Sequence, residues 1–107
     1  MTLNSIYREQ WRVGWKCKAQ TRDAIRDLWQ SFPTLKDKDC SGPAGVWDAV
    51  AVQMRMHSWS EHERDVVWFV MAVWNRQLFK FYLMDVVSFS DSDRMAAVDW
   101  LQNPWWP

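Results

Sequence analysis

The sequence predicts an all-α fold, a compact bundle of four to five helices around a central apolar helix at about 61–87. Three observations predict it. Glycine and proline are scarce, three and four in 107 residues, whereas a β-rich domain of this length needs more turn residues. Apolar residues recur at threes and fours along most of the chain, which is the helical period. Ser60-Glu61-His62-Glu63 is a capping box, in which Ser60 and Glu63 each satisfy the other's free backbone donor.

Residues 3–31 read as one long or kinked helix, capped by Asn4 or Ser5. Leu3, Ile6, Tyr7, Trp11 and Trp15 share the helical spacing, and Ala24, Ile25, Leu28, Trp29 and Phe32 resume it. Gly14 weakens the middle by about 1 kcal/mol relative to alanine. A strand over 11–19 is the competing reading, because Trp11, Val13, Trp15, Cys17 and Ala19 alternate with polar residues or glycine. Thr21 then caps a separate helix. Residues 32–43 form a loop with Pro33, a Lys-Asp-Lys-Asp run, Cys40, Ser41 and Gly42.

The second helix is expected to start at Ser41, Gly42 and Pro43, with Pro43 in its first turn. Val46, Trp47, Val50, Ala51 and Met54 make its expected apolar face, and it ends near His57 or Ser58. After the capping box, Glu61, Glu63 and Asp65 suit the positive end of a helix dipole. The run 66–74 is apolar on all sides, which places that helix at the centre. Residues 78–89 extend it beyond a bend near Asn75. A strand is the alternative there, since aromatic and β-branched residues are dense. Ser90, Asp91, Ser92 and Asp93 start a last helix carrying Met95, Val98, Trp100 and Leu101, which Asn103-Pro104 ends. Residues 1–107 read as a single helical domain, and 103–107 as a short aromatic tail on it.

Net charge is zero, so overall charge gives no capture of nucleic acid. The balance hides an asymmetry. Residues 1–40 hold eight Lys/Arg against five Asp/Glu, and residues 41–107 hold five against eight. Two cysteines, Cys17 and Cys40, make no disulfide framework. Arg8, Glu9 and Arg12 interrupt any signal-like apolar run near the start. Reduced thiols and a cytoplasmic location are the expectation. No membrane association is expected either. The longest apolar run, 66–74, has nine residues, and a spanning helix needs about 20.

The residues that could carry chemistry form no reactive constellation. His57 and Glu61 have ligand spacing, but Ser58 and Ser60 interrupt a helix between them, and neither cysteine has a ligand nearby. No metal site is expected. Lys16 and Lys18 flank Cys17 and lower its pKa, yet no nucleophile signature surrounds either thiol. Gly42 and Gly45 lack the lysine and hydroxyl residue of a phosphate loop. Glu61 with Asp65, and Asp91 with Asp93, are helix-start charges. No catalytic residues and no cofactor are predicted.

Surface features carry the functional reading. Arg8, Arg12 and Lys16 lie four apart, as do Lys18, Arg22 and Arg26, and this basic ridge has Trp11 and Trp15 beside it. Asp23 and Asp27 partly neutralise its second half. The chain holds ten tryptophans, each burying about 150–250 Å² when packed. Trp29, Trp47, Trp68, Trp74 and Trp100 lie on apolar helical faces and are assigned to the core. Trp59, Trp105 and Trp106 lie in loop or tail positions. Tryptophan and arginine are enriched at binding hot spots. The predicted partner-binding residues are therefore Arg8, Trp11, Arg12, Trp15, Lys16, Trp59, Trp105 and Trp106.

The leading expectation is a non-enzymatic protein-interaction module, an inhibitor or adaptor that occupies the surface of a larger partner protein. A small helical nucleic-acid-binding regulator using the basic ridge is the second reading and an enzyme the third, while a self-associating homodimer stays open because exposed aromatics also make homodimers. In size and composition the chain resembles small proteins of phages and mobile elements, some of which block host defence machinery by binding it. That resemblance has no motif behind it and transfers no residue.

Overall fold

In a computed structural model the described residues are 19–105, and among them four α-helices surround one core. The first, α1 (Ala19–Ser31), buries Ile25, Leu28 and Trp29, and Phe32 follows on the same face. This is the spacing the sequence predicts. The beginning of the expected 3–31 helix, and the strand alternative over 11–19, lie outside the described residues. A turn follows α1, in which Leu35 and Lys36 donate to the Phe32 carbonyl at 3.0 and 2.9 Å. The Trp29 indole donates across it to the Lys38 carbonyl at 3.0 Å.

The second helix begins later than expected. It is α2 (Ala49–Met56), and its N-cap is Asp48, whose carboxylate accepts from the Ala51 amide at 3.1 Å. Residues 41–47 are instead drawn into a tight loop by an antiparallel bridge between Ser41 and Trp47. The Gly42 amide donates to Val46 at 3.0 Å, and Gly45 to Gly42 at 2.9 Å. Gly45 has φ of 76°, a left-handed conformation that glycine adopts without steric cost. A Cβ at Gly42 would overlap the Asp48 carboxylate, so that glycine keeps the cap in place. Arg55 ties the loop to α2 by donating to the carbonyls of Ser41 at 2.7 Å and Asp39 at 3.0 Å. The loop's hydrogen bonds thus outweigh the helical start signal of Pro43. The expected face shifts with the start: α2 buries Ala49, Val52 and Met56, and Val50 and Met54 are exposed.

The capping box forms as predicted. The Ser60 amide donates to Glu63 Oε1 at 2.8 Å, and the Glu63 amide to Ser60 Oγ at 3.2 Å. It opens α3 (Glu61–Trp74), the hub of the molecule, which touches α1, α2 and the segment that follows. Seven of its residues are buried, with Val66, Val67, Val70 and Met71 fully so. The helix ends at Trp74 rather than near 87. At Asn75 the backbone is extended, with φ −153° and ψ 92°. The Asn75 side chain accepts from the amides of Gln77 and Leu78, each at 3.1 Å. A side chain that satisfies the next amides replaces the helical carbonyls they would have used. Residues 83–88, expected to be helix or strand, form a 3-10 segment, Leu83–Ser88.

The last helix, α4 (Asp91–Gln102), starts at the predicted Ser90 cap, where Ser90 Oγ accepts from the Asp93 amide at 3.2 Å. Asn103 ends it. The core is rich in rings. Trp59, Trp29, Trp47 and Trp74 form a line in space, each ring next to the one before it, with centroids 6.1, 6.0 and 6.2 Å apart. Phe69 contacts Phe32, Phe81 and Trp100 at 5.6, 5.2 and 5.7 Å. No described helix is long and apolar enough to cross a membrane.

Candidate interaction face

The Asn75 turn folds the chain back over α3. It lays Phe79 on Trp68 and Trp74, at 5.4 and 6.0 Å, and Phe81 on Phe69 and Phe89, at 5.2 and 6.0 Å. The 3-10 segment follows and α4 packs beside it. Arg94 joins the two by donating to the Phe89 carbonyl at 3.0 Å and reaching the Val87 carbonyl at 3.5 Å. Between these elements lies an open apolar groove of about 470 Å³, with Phe69, Phe79, Phe81, Tyr82, Val86, Trp100 and Leu101 in its walls. Arg76 and Lys80 are the charged residues that line it.

Two residues of the groove wall are themselves exposed. Tyr82 is 68% exposed and Leu101 52%. Met84 and Val87 of the 3-10 segment are exposed as well. On α4 the inward side is Asp93, Ala96, Ala97 and Trp100. Met95, Val98 and Leu101, which the sequence places on the last helix, form an outward stripe, with Met95 61% exposed. Ala96 and Ala97 are small enough for α4 to seat closely, and the larger residues at three-residue spacing are turned to the outside. A second hollow of about 380 Å³, between α2 and α3, is lined by Val50, Met54, His57, Arg64 and Trp68 among others.

Of the predicted binding residues, Arg8, Trp11, Arg12, Trp15, Lys16 and Trp106 lie outside the described residues. The two described ones are half-buried. Trp59 packs on Trp29 and carries the Lys38 ammonium 5.0 Å from its ring centroid. Trp105 packs against the core. Neither borders the groove, so the structure does not join them to the α4 stripe. The core assignments fare better: Trp29, Trp47, Trp74 and Trp100 are buried, and Trp68 is half-buried against them. On the described part of the basic ridge, Arg26 meets Asp23 at 3.8 Å, the neutralisation the sequence suggests.

A polar cluster sits at the opposite end of α4. Asp93, expected to be a simple helix-start charge, is fully buried. Its carboxylate accepts from the Thr34 amide at 3.1 Å, from the Thr34 hydroxyl, and from Ser90 Oγ at 2.7 Å. His62 Nε2 lies 3.7 Å away. The other ring nitrogen faces the Ser88 carbonyl at 3.1 Å and must donate, because a carbonyl only accepts. The Thr34 and Ser90 bonds fasten the turn after α1 and the start of α4 to one carboxylate, and His62 at the start of α3 lies beside them. Nearby, Lys38 and the capping-box bonds draw the Glu63 carboxyl down to about 2. Burial, with Asp39 adding to it, pushes the Cys40 thiol up to about 11, so it stays protonated at neutral pH and is a poor nucleophile. Among the described residues no three His, Cys, Asp or Glu side chains cluster to hold a metal ion.

The sequence signals for the groove were present but ambiguous. The run Phe79-Lys80-Phe81-Tyr82 has the composition of a strand or a core helix, and no periodicity marks Tyr82 as exposed. No family model, curated protein or solved structure matches the chain.

Proposed function

We propose that the protein is a protein-interaction module, an inhibitor or adaptor that works by placing an apolar face against another protein. The observation that carries this reading is the groove with its exposed wall residues Tyr82 and Leu101, together with Met84, Val87, Met95 and Val98, which are exposed on the two elements that border it. A monomeric protein rarely leaves large apolar side chains grouped at its surface unless something covers them. Tyr82 and Leu101 supply large contact area, and Lys80 marks the edge with charge. This is the composition of an interface centre with a polar rim.

The test compares the parent with Leu101→Asp as baits in extracts of the native cell, with captured proteins identified by mass spectrometry. Leu101 is exposed, so the variant is expected to melt with the parent. The parent is expected to retain a protein of a different sequence that the variant loses. Identical captures by two baits of equal stability would overturn this reading.

A further inference from the structure

We infer that the first occupant of this face is a second copy of the chain, paired about a two-fold axis with the α4 stripe of each copy lying along the groove of the other. The inference rests on the reading of this face as an interface, and names what covers it. Groove and stripe are adjacent and share Leu101, which belongs to both. A single patch that holds both a groove and the ridge that fills it closes into a pair, whereas the same two features on separate surfaces would propagate a filament.

Charge favours the same arrangement. Asp99 stands exposed on α4 one turn after Met95, so the Met95 edge of the stripe carries an acid. Lys80 stands exposed at the groove, so the groove carries a base. In the pair, Asp99 of one copy faces Lys80 of the other, twice over. Exposed pairs of this kind set register and orientation more than affinity, which suits an interface whose apolar centre is already self-complementary. A stable pair needs about 800 Å² from each copy, about a tenth of the 7098 Å² that one molecule exposes. The twelve residues of α4 offer a ridge about 18 Å long.

The experiment is sedimentation equilibrium of the purified full chain, from micromolar to near-millimolar concentration. The parent is expected to dimerise, and Leu101→Asp to weaken the dimer by at least about tenfold. Lys80→Glu and Asp99→Lys place like charges opposite each other, and each alone is expected to weaken self-association by about tenfold. Mixed in equal amounts, these two variants are expected to form a heterodimer within about threefold of the parent's affinity, since both opposed pairs then attract. A parent that stays monomeric throughout overturns the proposal, as does a dimer indifferent to all three substitutions, or a mixture that pairs no better than its components. Failure here is separable from failure of the broader reading. A monomer whose bait still loses a captured protein on Leu101→Asp has a different occupant on the same face. A dimer whose bait captures nothing else has only itself.

Discussion

At the scale of single residues, the side chain with most dependent on it is Asp93. It is the one fully buried charged side chain among the described residues, and three elements converge on it through Thr34, Ser90 and His62. Removing it leaves the Thr34 amide and two hydroxyls without their acceptor inside the protein. Asp93→Ala is therefore expected to lower the free energy of unfolding by about 3 kcal/mol in urea titration. Asp93→Asn keeps one oxygen for the Thr34 amide and is expected to cost less. A loss below about 1 kcal/mol for the alanine variant would show that the cluster is not needed for folding. Glu63 gives a dependence on acid. Its carboxyl is held at about 2 by the Lys38 ammonium and then by Ser60, against an ordinary 4.5. A depressed carboxyl stabilises the folded state above its unfolded value, and that contribution drains away as pH falls from about 4.5 towards 2. Melting temperature measured from pH 6 down to pH 2 is expected to show parent and Glu63→Gln converging as the acid is approached, with the parent higher at the neutral end. Parallel curves would mean that the pair contributes nothing.

At the scale of elements, local signals were legible at the starts of α3 and α4, where a serine caps its own helix. Ser60 with Glu63, and Ser90 with Asp93, could be read because the cap and its amide lie three residues apart in sequence. The start of α2 was not legible in the same way. Asp48 competed with Pro43, and the outcome turned on the Ser41–Trp47 bridge and on Arg55, contacts between residues six and fourteen apart. The end of α3 shows the same limit. The apolar content continues past Trp74, but one amide-bearing side chain redirects the backbone. Asn75→Ala is expected to remove the acceptor for the Gln77 and Leu78 amides, costing about 1–2 kcal/mol and loosening the segment that carries Phe79 and Phe81. Hydrogen exchange should show that loosening as faster exchange in residues 76–82, with α1 unchanged. Uniform protection in both proteins would assign the turn to aromatic packing instead.

At the scale of the whole molecule, the described helices and their loops belong to a body with a radius of gyration of 13.5 Å, close to the ~13 Å expected of a compact chain of this length. Its extents are 41, 27 and 24 Å. The fold class could be read because glycine scarcity, helical spacing and capping agree with one another. The interaction face could not, because periodicity tells which residues share one side of a helix and not which side turns inward. Met95, Val98 and Leu101 share a helical spacing that the sequence shows, but only the burial of Ala96, Ala97 and Trp100 fixes that stripe on the outside. The line of indoles from Trp59 through Trp29 and Trp47 to Trp74 has an optical consequence. Chromophores held about 6 Å apart at fixed tilts couple to one another and give the near-ultraviolet spectrum a handedness that free indoles lack. That signal depends on side-chain order alone and disappears in states that keep their helices but lose their packing. The protein thus carries its own gauge of tertiary order, readable by polarised light without any label.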